Sequence, residues 1–303
     1  MASAFFFTIN KMIDLHIHST ASDGECLPYQ IPIFGKESNV TALALTDHDT
    51  TDGLDEFLES AADVGVMGIP GVELSCASSG IDKVHIVGLF INHRDSGFLG
   101  TLEQIRNWRD ERNLKIIQKL DECEKHIELS EVMEVARSKR GSVGEVVLGR
   151  PHIAEVMVRR GYCKDIKAAF RDYLGKNQKA YVPRQTLDAV DGIAAIHSAG
   201  GLAIWAHSMT SVKSHTVVTE LCGKFKEYGL DGMEVIYSDF TPNDTEFAMS
   251  CARQFGFLMS GGTDFHGEKV TPGIRIGEGR GDGFAVPESF LEAMMKQRSA
   301  SAH

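Results

Sequence analysis

Short apolar runs recur along this chain, and each stops abruptly at polar or ionisable side chains. Met12–His18, Thr41–His48, Val66–Ser75 and His85–Ile91 form a first group; Gly201–His207, Gly232–Tyr237 and Phe257–Gly261 form a second. Continuous apolar runs of this length, bounded by turns, read as strands buried on both faces. Between them the spacing becomes helical at Asp52–Val64, Leu187–Ala199, Val217–Tyr228 and, after Pro242, Asn243–Phe255. Strands alternating with helices predict a parallel sheet, and seven of them predict a barrel rather than an open sheet. Leu27–Asn39 carries Pro28 and Pro32 and is a poor helix, so its structure is left open.

The middle of the chain breaks the alternation. Leu99–Lys125 is a long helical pattern with Arg106, Arg109 and Arg112 on one face, and Ser130–Lys139, Pro151–Arg160 and Ile166–Leu174 continue it as shorter helices. The pattern predicts a discontinuous barrel, residues 12–95 and 181–298, interrupted by an all-helical insertion, 96–180, that covers the active site. A chain of 303 residues has room for both.

The strand ends carry the chemistry. Asp14-Leu-His16-Ile-His18 with Asp23, Thr46-Asp47-His48-Asp49, Gly71-Val72-Glu73 and Gly262-Thr263-Asp264-Phe265-His266 place imidazoles and carboxylates beside buried runs, and His85 and His207 sit at strand edges. Six of the twelve histidines fall at these points. Neutral imidazole and carboxylate are the ligands borderline divalent metals prefer. Residues two apart on a strand share a face, so His16 and His18, and likewise Asp264 and His266, can meet one ion. Each element has a plainer reading alone: a strand-end Asp caps the next helix, a strand-end His is a satisfied core residue. Burying so many ionisable groups together is expensive without a common partner, and a metal centre supplies one. Most candidates lie at C-terminal strand ends, the rim that holds active sites in parallel barrels. His85 is the exception: it opens its strand and needs that strand reversed or bulged.

Composition narrows the context. Apolar residues make up 43% and charged residues 24%, ordinary for a soluble globular protein. The net charge of -11 argues against a broad nucleic-acid surface but leaves room for a local phosphate site. Loaded with divalent cations, the pocket becomes positive inside an acidic chain and draws anions. The six scattered cysteines contain no C-x-x-C pair and read as reduced thiols in a cytoplasmic protein. Phe5-Phe6-Phe7 is too short for a membrane span and has no basic flank before it, so neither anchor nor cleaved leader is expected. The oligomeric state is left open.

D-L-H-x-H-S-x-x-S-D-G, L-T-D-H-D, G-V-E, H-I-V-G-L, W-A-H and S-G-G-x-D-F-H-G together resemble the motifs of the polymerase and histidinol phosphatase (PHP) family. Within the insertion, Gly149-Arg150-Pro151-His152-Ile153-Ala154 and Tyr173-Leu174-Gly175-Lys176 with Tyr181-Val182-Pro183-Arg184 are similar to its stand-alone branch. The likeness runs from about residue 12 over nearly the whole chain. It implies a distorted (β/α)7 barrel and a phosphoesterase using two to three divalent ions, Mn, Zn or Fe. It also implies three ligand sets: His16, His18, Glu73 and Asp264; Glu73, His85 and His207, with Glu73 bridging; and Asp23, His48 and His266. Glu73, His207 and Asp264 are the ligands assigned to catalysis. Asp47 is left between orienting a histidine and capping a helix.

Metal chemistry then suggests an in-line attack on phosphorus by a hydroxide bridging two cations. Arg150 and Arg184 are placed to grip phosphate, with His152 hydrogen-bonding it. The expected substrate is a small phosphorylated molecule: a nucleotide, a 3',5'-bisphosphate, or the 5'-phosphorylated end of a short RNA. Histidinol phosphate is the runner-up. An amidohydrolase cutting C–N bonds is the other alternative, against which stands the lack of a strand-end lysine for a carbamylated bridge. Three departures from the branch bear on specificity: Glu155 where arginine is common, Ser208 after His207 where proline is usual, and Phe240 where histidine is common.

Overall fold

A computed structural model describes residues 12–140, 148–281 and 283–301; Phe5–Phe7 lies outside them. The chain divides into two compact units, one of residues 1–95 with 188–303, the other of residues 96–187.

The first unit carries the sheet. Its seven longer strands are β1 (Met12–Ile17), β2 (Val40–Leu45), β3 (Met67–Ser78), β4 (Ile81–Leu89), β6 (Leu202–Trp205), β7 (Gly232–Tyr237) and β8 (Leu258–Gly262). Two-residue strands β5 (Leu187–Asp188) and β9 (Val286–Pro287) complete it. The path runs β8-β7-β6-β4-β3-β2-β1-β9. Its ends approach each other: the N–H of His18 donates to the carbonyl of Phe265 at 2.9 Å, and that of Asp264 to the carbonyl of His16 at 2.8 Å. The result is a distorted, nearly closed (β/α) barrel. Outside it lie α1 (Gln30–Glu37), α2 (Leu54–Val64), α7 (Ala189–Ser198), α8 (Ser208–Ser211), α9 (His215–Glu227), α10 (Pro242–Phe255) and α11 (Glu288–Ser301).

The sheet is mixed, which corrects the all-parallel expectation. β4 runs antiparallel to both β3 and β6, while the pairs β1·β2, β2·β3, β6·β7 and β7·β8 are parallel. Ser79 and Gly80, both at positive φ (50° and 80°), form the two-residue turn between β3 and β4. Such a turn matches strand twist and closes a tight hairpin. β3 changes partner midway: it pairs with β2 up to Pro70 and with β4 from Gly71 onward. A Cβ at Gly71 would lie 2.8 Å from the Thr46 side chain and 3.0 Å from two carbonyl oxygens, so only glycine fits this junction.

α1 fills the tract left open. Pro32 is its third residue, among the N–H groups that find no partner in a first turn, so the ring costs the helix no hydrogen bond. The barrel core joins Ile13, Leu15, Ala44, Ile69, Val87, Leu89 and Ile204 with Leu291 and Met294 of α11.

The second unit consists of α3 (Ser96–Glu122), α4 (Leu129–Arg140), α5 (Arg150–Arg159), α6 (Ile166–Ala169) and a π-helical turn, Phe170–Leu174. It has its own core, including Ile116, Leu120, Val132, Val135, Ile153, Met157 and Leu174. No helix among the described residues is long and apolar enough to cross a membrane.

Candidate metal centre

Glu73 is the hub. It lies inside β3, past the point where pairing switches to β4, rather than at a strand end. Ser75 lies opposite His85 in the hairpin, which puts Glu73 and His85 on one face, two residues apart in register. His85 is thus the fifth residue of β4, not its opener, and the reversed strand turns it toward Glu73.

Five ring nitrogens converge on this one carboxylate. His85 Nδ1 and His207 Nε2 lie 2.6 and 2.9 Å from its Oε1; His48 Nδ1, His18 Nε2 and His16 Nε2 lie 2.9, 3.2 and 3.4 Å from its Oε2. Asp264 Oδ1 adds a second carboxylate 3.1 Å from His18 and 3.5 Å from His16. On the outer side Asp23 Oδ1 is 3.3 Å from His266 Nε2, and its Oδ2 is 3.8 Å from His48 Nε2.

Three groups of donor atoms are close enough to share an ion: His16, His18, Glu73 and Asp264; His18, Asp23, His48 and His266; and His48, Glu73 and His85. His207 reaches the last group through the same oxygen of Glu73 that His85 touches. All nine side chains expected as ligands therefore meet in one place.

The donor set tests whether cations fit. His48 Nδ1, Glu73 Oε2 and Asp264 Oδ1 are buried with no hydrogen-bond partner. Buried polar atoms are rarely left so, and here three belong to one cluster of side chains. His16 Nε2 and His18 Nε2 sit 3.1 Å apart, two ring nitrogens turned to one space. The donor types and their convergence fit divalent cations, which would satisfy these atoms.

Electrostatics agree. Burial alone raises a carboxyl pKa, but the imidazoles of His85, His48 and His16 outweigh it and hold Glu73 well below the carboxylate range. Burial opposes a charged imidazole, yet Glu73 and Asp23 push His48 up to about 10. His85 goes the other way: burial brings it down to about 4, leaving a neutral ring with a lone pair. Protons and divalent cations compete for these same lone pairs.

Surrounding groups fix the ligands. Asp14, fully buried, accepts from the N–H and hydroxyl of Thr263 and the N–H of Gly277; burial lifts its pKa to about 6 against those bonds. Asp47 neither orients a histidine directly nor caps a helix. Its carboxylate accepts from Ser19 and Ser22, tying down the loop that carries Asp23. Sequence reasoning missed Glu234, whose carboxylate accepts from His16 Nδ1 at 2.8 Å and from the His207 N–H at 2.6 Å. It also missed Tyr237, whose hydroxyl donates to Asp264 Oδ2 at 2.9 Å. A lone glutamate between Met233 and Val235 in an apolar run was the available signal.

The three residues expected to contact substrate lie in the helical unit. Arg150 donates to the carbonyl of Leu174 at 3.1 Å and lies over the Phe170 ring. His152 Nδ1 accepts from the Gly149 N–H at 3.2 Å, so its Nε2 is the donor nitrogen. Arg112 donates to the carbonyl of Val182, two residues before Arg184. Burial, with Arg150 and Arg184 nearby, lowers the Arg112 pKa to about 10. The three guanidiniums therefore share one neighbourhood.

A model of the PHP domain matches residues 14–185. A 5'-3' exoribonuclease of Haemophilus influenzae is 34% identical over 258 residues, covering 85% of this chain and 91% of its own. A 3',5'-nucleoside bisphosphate phosphatase of Chromobacterium violaceum is 33% identical over 259 residues, covering 84% of this chain and 87% of its own. A solved structure from C. violaceum, described as an amidohydrolase with bound sulfate, superposes with a TM-score of 0.73 at 29% identity, covering 95% of this chain and 96% of that one. One from Bifidobacterium adolescentis shares the fold with a TM-score of 0.77 at 24% identity, covering 95% and 96%. On the matched domain and these relatives, the chain belongs to the PHP family.

Proposed function

We propose that this chain is a cytoplasmic phosphoesterase that uses two to three divalent cations, Mn, Zn or Fe, to hydrolyse phosphate esters of nucleotides. The favoured substrates are nucleoside 3',5'-bisphosphates and short RNAs with 5'-phosphate ends. One observation carries the reading: a buried carboxylate, Glu73, ringed by five imidazole nitrogens, with unpartnered buried atoms in the same cluster.

His16, His18, Glu73 and Asp264 would hold one cation, Glu73, His85 and His207 a second, and Asp23, His48 and His266 a third. Bound cations supply Lewis acidity, a nucleophile available at neutral pH and charge neutralisation at phosphate. Glu73, common to two sets, would be shared by two of the cations. Asp264, its outer oxygen taken by Tyr237, presents Oδ1 to the pocket. Arg150, Arg184 and the Nε2–H of His152, with Arg112 beside them, form a cationic recognition surface for phosphate oxygens. The names of the H. influenzae and C. violaceum relatives support nucleotides and RNA ends as the substrate class.

Elemental analysis of the purified protein, paired with phosphate release from a nucleotide panel after Mn loading, tests this. The expected result is two to three metals per chain and release from a 3',5'-bisphosphate or a 5'-phosphorylated oligoribonucleotide. Metal without phosphate release from any nucleotide or RNA end overturns the substrate class; no metal overturns the whole reading.

A further inference from the structure

β7 supplies no ligand to this centre, yet its side chains reach ligands on three other elements. Glu234 is 1% exposed in an otherwise apolar strand. One of its oxygens takes the Nδ1–H of His16, on β1, and the other takes the backbone N–H of His207, just past β6. Tyr237, at the strand's end, bonds Asp264 beyond β8, and the next residue, Ser238, donates its hydroxyl to the Thr263 carbonyl at 2.7 Å. Two of the ligands so held are strained. His207 sits at φ 28° and Asp264 at φ 55°, in the left-handed region where side chains are uncommon. Such conformations persist only where neighbouring groups over-determine them.

We infer that β7 is the positioning strand of the metal centre, with Glu234 and Tyr237 setting His16, His207 and Asp264 in the orientation that takes a divalent cation. The inference rests on the metal reading above. A carboxylate can only accept, so Glu234 keeps the His16 proton on Nδ1 and leaves the Nε2 lone pair facing Glu73 and Asp264. Its second oxygen anchors the strained backbone of His207. Tyr237 occupies one oxygen of Asp264 and thereby decides which oxygen faces His16 and His18.

An amide cannot replace that carboxylate. If the carbonyl oxygen of a glutamine faced His16, its NH2 would meet the His207 N–H, donor against donor. If flipped, the NH2 would demand a lone pair on His16 Nδ1 and move the proton to the metal-facing nitrogen.

The test compares full-length wild type, E234Q and Y237F, each stripped with a chelator and then titrated with Mn2+ by equilibrium dialysis and elemental analysis. Thermal melting of the stripped proteins is measured in parallel. We expect Mn2+ affinity to fall 10–100-fold in E234Q, the scale for losing an outer-shell partner of a ligand, and by less in Y237F. Both stripped variants should melt close to the stripped wild type. Wild-type affinity in both folded variants overturns the inference and leaves the metal reading intact; wild type that binds no Mn2+ overturns both. If E234Q melts far below wild type, Y237F, which lacks a single hydroxyl, decides: unchanged affinity there overturns the inference.

Discussion

In the barrel unit, carboxylates are buried against imidazoles, and three of the atoms gathered there, His48 Nδ1, Glu73 Oε2 and Asp264 Oδ1, lack hydrogen-bond partners. In the helical unit, Arg112 and Arg150 are held by neutral groups, the carbonyls of Val182 and Leu174 and the Phe170 ring. A carbonyl fixes a guanidinium without cancelling its charge, so the cluster keeps a positive field. The imidazole–carboxylate ring does the converse: it cancels charge within itself but leaves lone pairs unused. One cluster is left with lone pairs for cations, the other with positive charge at Arg112 and Arg150. Each site shows in what its neighbours leave unanswered rather than in the identity of any single residue.

The sharpest way to break this contrast is on the barrel side. Asp264→Asn removes a carboxylate that faces three histidines, and turnover should drop by more than about a hundredfold, beyond the usual effect of losing an outer partner. Metal content should fall with it while the fold persists. Wild-type turnover and metal content in this variant would remove Asp264 from the centre.

On the helical side the effect should be smaller and of another kind. Arg150→Ala deletes a charge-assisted contact, of order 1.5–3 kcal/mol. KM for phosphorylated substrates should rise by roughly ten- to a hundredfold with kcat nearly unchanged. An unaltered KM would take Arg150 out of the phosphate surface.

The smallest effect calibrates both. His197 and Asp231 form an imidazole–carboxylate pair at 2.8 Å far less buried than the pairs in the centre, and this bond raises the His197 pKa above 6.5. A raised imidazole pKa adds stability that is fully present below the unfolded value and fades as pH climbs through the folded one. Exposure keeps the gain under about 1 kcal/mol. His197→Gln should therefore lower the melting temperature slightly at pH 5.5 and hardly at all at pH 9. An equal loss at both values would mean that packing, not charge, makes the pair matter.

The strands, their helices and the ligand types were legible because burying ionisable groups at the ends of apolar runs is costly and needs one explanation. Strand direction was not legible. Period-2 and continuous apolar patterns say that a segment is extended, not which way it runs, and only His85, which needed its strand reversed or bulged, hinted at the change of direction. Pro32 counted against a helix because position within a helix decides what a proline costs, and that position shows only once the ends are known. Glu234 escaped notice because it stands in no cluster along the chain; its partners, His16 and His207, come from other strands. Asp47 kept two readings open, and a third, the serines of a neighbouring loop, took it.

The reversed β4 also sets an order of assembly. Glu73 and His85 are 12 positions apart and joined by a two-residue turn, so their pairing is local and fast. The bond between Asp14 and Thr263, which closes the barrel beside Asp264, spans 249 positions and carries the entropy of a very long loop. A chain made from its N-terminus has Glu73 and four of its five histidines long before the closing segment exists. A cation that needs the full ligand set would therefore find its place only in the finished barrel, and once there it would latch a contact that closes late.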